Sequence, residues 1–590
     1  MSSLLFSLML FSLMLFSLVL FGVVPLSMLS VRCRRPAHHA GPLAMLWLAL
    51  CGPAMAQSGA PEEHDAFTAA LSAPFDDGGA VARRIRLDFS AALPPSAAAD
   101  TMEAAADDAG AQRGIAWRLA LLSPAGRELR HWSGSLPLPR HAASIDLRWV
   151  RPQRALPAGV YQLYLRATLR APGAADEIVE QRSDIRIGRP APAMLPEIGD
   201  GGGGLARPRA AGPPVYEIYY GNLHSHSNHS DGGGALDDCH GAQPPQQGRF
   251  GPADAWSYAR EHGLDFLVTS EHNHMYDGSD GLNAEADPAA VRALFHSGLD
   301  GAAAFNAAHA GFLAVYGDEW GVIHGGGHVN IFNGDQLAGW EVNARGQLLA
   351  EAFVAKSDYA ALYTLMRQRG WLGQFNHPAA TGQFRAAGAD LGYTADGDAA
   401  IALCEVLNSA AFSNRTDEGE PALNNYESAC NKALEAGYHV AFSSDQDNHC
   451  ANWGASSGNR TGLLLPKGTA LTSAGFTDAI AARRVFATMD RQASILLTAN
   501  GHTMGERFDN AGPLQLQVAY THAGAPPHRV AAVRLMEGVP GRRGQVTLLA
   551  RAATARVMPT PGPHFYYARL TQDDGKVLWS APVWINQANP

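Results

Sequence analysis

Between residues 216 and 450, one apolar stretch after another stops on His, Asp or Glu. The runs "EIYYGNLHSH", "DFLVTSEHNH", "FLAVYGDEW", "WLGQFNHP" and "HVAFSSDQDNH" share this form, and "GGGHVNIFN" carries its His at the start of a strand. Apolar strand bodies need cover on both faces, whereas titratable ends need a polar rim. Such segments must therefore lie side by side with their ends gathered at one edge. Helical stretches such as "PADAWSYAREHG" and a segment around 287–309 alternate with them, which predicts an α/β domain with a mainly parallel sheet or barrel over 215–490. A helix over "TDAIAARRVFATM" is expected to close it.

The flanks have a different rhythm. Over 81–187, short alternating runs such as "RRIRLDF", "SIDLRWV" and "GVYQLYLRATL" stand between Pro, Gly and Ser clusters and predict an N-terminal β-sandwich. Residues 57–80 read as a flexible segment, and 188–214, with "GDGGGGLARPRAAGPP", as a linker. Short strands return in 491–590 ("SILLTA", "LQLQVAY", "VAAVRLME"), which predicts a C-terminal β-sandwich.

Residues 1–56 carry the address. An uncharged apolar run precedes Arg32, Arg34 and Arg35, a second apolar run and Ala54-Met55-Ala56. That order is a signal peptide, or a membrane segment if the "FSLML" repeats belong to it; Met28 alone would open a signal of ordinary length. The expected location is exported: periplasmic, secreted or anchored on the extracytoplasmic side. A formal net charge of -10, without a Lys/Arg-rich run, argues against nucleic acid as a partner. Cleavage after Ala56 leaves Cys239, Cys404, Cys430 and Cys450, enough for two disulfides in any of three pairings, although Cys404 in "AIALCEVLN" could equally be a buried thiol.

His224 and His226 stand two residues apart, so the alternation of a strand puts both imidazoles on one side. The other strand ends offer His272, Glu319, His328, His377, Asp445, Asp447 and His449; Asp318 alternates away from its neighbour Glu319. Imidazole and carboxylate donors suit Zn, Mn or Fe, and the lack of thiolates at the strand ends is unlike a structural zinc site. So many donors exceed the need of one ion and imply two or three divalent ions with a bridging carboxylate. Ions so placed lower the pKa of a shared water, which predicts hydrolysis. His229 and His274 lie out of phase with the set, and His274 and Arg460 are candidates for substrate contact.

The ordered set "NLHSHSNHSDG", "TSEHN", "GDEW", "GHVNIF", "FNHP" and "SSDQDNH" resembles the polymerase and histidinol phosphatase (PHP) superfamily of metal-dependent hydrolases, and within it the carbaryl-hydrolase type of secreted members. The resemblance covers roughly residues 216–490 and implies a distorted seven-stranded β/α barrel between the two sandwiches. It further implies that His224, His226, Asp231, His272, Glu319, His328, His377 and Asp445 are metal ligands, with Glu319 bridging. The family's closing Asp-x-His is stretched here to "DQDNH", so the last ligand is Asp447 or His449; His449 is preferred, with Asp447 orienting it. Glu319, His377 and His449 are then the catalytic groups. Cys239 and Cys450 flank the first and last motifs and would pair if both loops line one mouth.

The expected activity is that of an exported PHP-type metallophosphoesterase, in which a metal-bridging hydroxide attacks a small anionic ester. A carboxylic ester or carbamate hydrolase with the same site is the first alternative. A non-catalytic cell-surface binding module is the second.

Overall fold

A computed structural model describes residues 67–589 apart from 77, 79–81, 91–113, 138–141, 151–155, 171–175, 199–215, 324–325, 380 and 543–545. The signal or membrane segment and most of the flexible segment and linker lie outside the described residues. No helix among the described residues is long and apolar enough to cross a membrane.

The first sheets are antiparallel. Thr68–Ser72, Ala82–Ser90 and Ala143–Val150 form one, and Glu128–Pro137, Gly114–Leu122, Gly159–Arg170 and Glu177–Ile187 the other. Alternate residues of Ala82–Ser90 are buried, and Ile85, Leu87 and Phe89 meet Ile115, Leu119, Leu163 and Leu165 in one core.

The rest is organised by a single mixed sheet of sixteen strands flanked by smaller sheets. Tyr216–Asn222, Phe266–His272 and Leu313–Trp320 run parallel, and so do Gly373–Phe375, Ile401–Ser409 and Ala441–Asp445. Val329–Ile331 joins the two groups by antiparallel pairing on both sides. Phe266–His272 and Ile401–Ser409 are buried along their whole length, as strands covered on both faces must be. The helix Pro288–Ala308 comes so close to the sheet that a Cβ on Gly298 would stand 2.1 Å from the Tyr316 ring.

The expected seven-stranded barrel with a detached C-terminal sandwich is not what the backbone ladders build. Arg460–Pro466 pairs antiparallel with Tyr216–Asn222 on one side and with Val485–Thr488 on the other. The sheet therefore runs on through Val577–Ser580, Gly562–Gln572 and Val530–Gly538. The physical reason lies in these last strands, whose Tyr566, Leu570 and Leu578 are fully buried and gain cover by extending the sheet. Only a smaller antiparallel sheet, including Ala493–Ala499 and Leu514–His522, stands apart from the ladder, and it shares a core with the large one. The helix expected over "TDAIAARRVFATM" is also corrected. The helix is Ser473–Ala481, Arg483 takes φ 53°, and Val485–Thr488 is a buried strand.

Asp184, on the last strand of the N-terminal sheets, ties them to the large sheet. Its carboxylate accepts from Arg569 Nη1 at 2.7 Å, Thr571 Oγ1 at 2.6 Å and Arg534 Nη1 at 3.2 Å. Burial opposes its ionisation, but the two guanidinium groups outweigh that and hold the carboxyl well below the usual carboxylate range. Asp184→Asn is expected to cost about 3–5 kcal/mol at neutral pH by leaving buried arginine charge uncompensated. Because the folded pKa is depressed, this stabilisation is present above the ordinary Asp value of about 3.9 and is lost as pH falls below it. Urea midpoints of the two proteins should differ at pH 7 and converge in acid; equal midpoints at pH 7 would show that Asp184 holds nothing together.

Candidate metal centre

Strand ends from across the large sheet bring their polar side chains to one buried place. Glu319, near the end of Leu313–Trp320, lies at its middle with only 1% of its surface exposed. Five imidazoles surround its carboxylate. His328 Nδ1 and His224 Nε2 lie 3.0 and 3.1 Å from Oε1, and His377 Nε2 lies 3.4 Å from it. His226 Nε2 and His272 Nδ1 lie 3.2 and 3.4 Å from Oε2. Asp318, one residue earlier and so on the opposite face, is kept out, and burial pushes its carboxyl well above the usual range.

The donors form three overlapping groups, each with its atoms within 4.8 Å of one another: His226, Asp231, His272 and His449; His224, His226, Glu319 and Asp447; and His272, Glu319 and His328. His226, His272 and Glu319 each serve two groups. The turn that carries Asp231 packs so tightly on the first strand end that a Cβ on Gly232 would meet His226 backbone at 2.5 Å.

Two residues of the site hold backbone conformations that side chains other than glycine rarely adopt: His377 at φ 27° and Asp447 at φ 51°. Such strain costs on the order of 1–3 kcal/mol and persists where surrounding contacts enforce it. At His377 the contact is visible, since its N–H donates to Glu405 Oε2 at 2.6 Å. Glu405 Oε1 also lies 3.3 Å from His224 Nδ1, so one buried carboxylate orients one imidazole and fixes the backbone that carries another. Asn376 donates to Glu319 Oε1 at 2.6 Å, and Glu271 accepts from Ser227 and Ser230 to shape the first loop. The sequence carried a signal for Glu405, a lone acid inside the apolar "AIALCEVLN"; nothing marked Asn376.

The electrostatics are those of a compensated cluster. Burial works against ionisation of Glu319, yet charge on His224, His328 and His272 outweighs it and holds the carboxyl well below the usual range. Asp447 is held down in the same way against burial by His224, His226 and His449. Burial likewise opposes protonation of His226, but Asp447 and Glu319 raise its pKa to about 10. Three buried atoms, His226 Nε2, Glu319 Oε2 and Asp447 Oδ1, converge without a hydrogen-bond partner, the nitrogen 3.2 Å from each oxygen. Donors packed this closely without hydrogen-bond geometry fit a shared cation. The buried His, Asp and Glu clusters could thus coordinate a divalent metal.

Of the expected ligands, His224, His226, Asp231, His272, Glu319, His328, His377 and His449 come together here. Asp445 does not belong to the groups. Its carboxylate accepts from Leu223 N at 2.8 Å, Thr461 Oγ1 at 3.1 Å and Gln374 Nε2 at 3.3 Å, and burial with the nearby Glu405 pushes its pKa up to about 7. Asp447, expected only to orient His449, stands in a donor group itself, and His449 stands in another; the two are spaced like His224 and His226. Arg460 is corrected too. It is buried on Glu418 and the carbonyls of Gly454, Ser457 and Asn459 and does not border the cavity beside the donors. His274 stacks on Trp340 beside a separate small cavity, and His229 packs on Tyr316, 2.7 Å from its hydroxyl.

Cys239–Cys450 ties the loop after the first motif to the loop after the last, and Cys404–Cys430 is the second disulfide, so Cys404 is no free thiol.

No family model matches this chain and no curated protein matches it. Among solved structures it aligns with a β-glucuronidase of Parabacteroides merdae at 9% identity and TM-score 0.14, covering 88% of this chain and 64% of that one. β-Glucuronidase 3 of Bacteroides uniformis aligns at 10% identity and TM-score 0.13, covering 89% and 64%. A putative β-galactosidase of Bacteroides fragilis aligns at 10% identity and TM-score 0.13, covering 88% and 73%. This chain thus spans about 64% of the length of the P. merdae enzyme. No family model supports the PHP resemblance and none of these structures is a PHP hydrolase, so the resemblance is not carried further. The barrel is already replaced by the continuous sheet, and the metallophosphoesterase activity with its ester and carbamate alternatives is withdrawn together with the resemblance that implied it. Scores this low carry no argument about the fold or the activity of this chain, and the donor cluster rests on its own geometry.

Asp447→Asn should lower the metal content of reconstituted protein by about one equivalent, since a donor carboxylate is lost. Asp445→Asn should leave metal content unchanged and instead lower the unfolding free energy by about 1–3 kcal/mol through its broken buried hydrogen bonds. Metal analysis and thermal unfolding of both variants check this, and full metal content in Asp447→Asn removes that residue from the donor set.

Proposed function

We propose that this chain is an exported metalloprotein whose buried centre holds two or three divalent ions of zinc, manganese or iron and offers them to a small anionic, oxygen-donor molecule. The observation that carries this is the convergence of His226 Nε2, Glu319 Oε2 and Asp447 Oδ1, buried and without hydrogen-bond partners. Three donor groups sharing residues match two or three ions better than one. Nitrogen and oxygen donors without thiolate favour the named metals. Glu319 joins two of the groups, and His377 and His449 border the adjoining cavity, as do Glu319 and His328.

Divalent ions in such a centre act as Lewis acids on a bound oxygen atom. The chain's own groups prepare the place. Glu405 holds His224 and the His377 backbone, Asn376 holds Glu319, and Trp453 Nε1 donates to the His226 carbonyl at 2.8 Å. Export is supported by two buried disulfides, which persist in oxidising compartments.

Two measurements test this reading. Reconstituted protein should retain about two or more equivalents of metal and lose thermal stability on chelation, because binding to the folded state alone stabilises it. Less than one equivalent, or turnover of a chromogenic β-glucuronide that survives complete metal removal, would overturn it. Separately, non-reduced peptide maps of the exported protein should show Cys239 with Cys450 and Cys404 with Cys430; free thiols at all four positions would count against an oxidising compartment.

A further inference from the structure

Beside the donor cluster lies a cavity of about 210 Å3, with Glu319, His328, His377, Asp447 and His449 along one side. Part of the wall comes from the N-terminal sheets, through Phe67 and Ala69 at Thr68–Ser72 and Val179 on Glu177–Ile187. This wall is pinned in place. Ile178 N–H donates to Thr381 Oγ1 at 2.9 Å, and Gln181 Oε1 accepts from Asn425 N at 2.7 Å. Arg182 Nε donates to Ser428 Oγ at 3.3 Å, so three consecutive contacts hold the strand against the loops of the large sheet.

Among the described residues bordering the cavity there is no Lys and no Arg. Glu180, the one acid on the N-terminal wall, is engaged by Tyr164 Oη at 2.6 Å and Arg166 Nη1 at 3.1 Å. Away from the donor cluster, no guanidinium or ammonium among these described residues can pair with a negative charge on the ligand. There Phe67 and Val179 offer apolar surface, which favours an apolar group and penalises an unpaired charge, while Phe412 lies against His449 at the donor side.

Resting on the metal-centre reading, we infer that the N-terminal sheets are a specificity-determining wall: through Phe67 and Val179 they select a ligand with one oxygen-donor head, at the metal side, and a compact apolar body. The N-terminal sheets are then part of the binding site. The cavity volume lies below the 300–1,000 Å3 of an ordinary drug-sized pocket, which favours a compact body of about a single ring.

Acetohydroxamate and benzohydroxamate share a metal-binding head and differ in the apolar body. By calorimetry on the metal-loaded full chain, benzohydroxamate should bind about tenfold tighter or better, the scale on which apolar pockets discriminate. Val179→Asp should erase this difference, and Val179→Leu should keep it. Val179→Ser is a milder variant, expected to shrink the difference, should Val179→Asp fail to fold. Equal binding of the two compounds by the parent protein, or a preference that survives both Val179→Asp and Val179→Ser, overturns the wall while leaving the metal centre intact. Binding of neither compound, together with less than one metal equivalent, overturns the metal centre itself and this inference with it.

Discussion

A carboxylate buried among imidazoles sets the terms for the rest of this molecule. Glu319 has almost no contact with water, and an ionised carboxyl there is tolerable only because five histidines and Asn376 face it. Those groups come from separate segments spread over residues 224–377, so the cluster exists only when the large sheet is in register. Slipping one strand by a residue would turn its donors to the other face and leave Glu319 uncompensated.

Local devices hold each donor. Glu405 holds the His224 imidazole and the His377 backbone at once, the Gly232 turn brings Asp231 under His226, and left-handed backbone at His377 and Asp447 aims both side chains inward. The disulfide Cys239–Cys450 joins the loops that carry the first and last donors. On the opposite side of the cavity, the N-terminal sheets are fixed by Thr381, Asn425 and Ser428, and by the Asp184 cluster with Arg534 and Arg569. Wall and donor cluster thus share one rigid frame, which is what lets a strand far from the donors bear on what enters.

Much of the donor set was readable in the order of residues because strand alternation is local: His224 with His226, and Glu319 against Asp318, follow from period two. The last segment was misread for an equally physical reason. Asp445 ends its strand as His272 does, but its oxygens are taken by Thr461 and Gln374, which come from two other strands, and by Leu223, which directly follows a third. Asp447 repeats before His449 the two-residue spacing of His224 and His226, a local signal for a donor. Arg460 looked like an anion contact until Glu418 and three carbonyls were found around it. The C-terminal strands were legible as strands, yet not as a continuation of the main sheet, because pairing partners depend on buried surface summed over the whole chain.

By itself the sequence determined which residues could be donors, that strand ends would carry them, and that apolar strand bodies would be covered on both faces. These properties depend on residue type and on backbone periodicity, which act over a few neighbours. Only the tertiary structure decided that Asp447 and not Asp445 joins the cluster, that the sheet runs on into the C-terminal strands, and that Phe67 and Val179 close one wall of the cavity. Each of these is settled by which distant group reaches a given atom or surface first, a competition for hydrogen bonds and buried area that has no local trace.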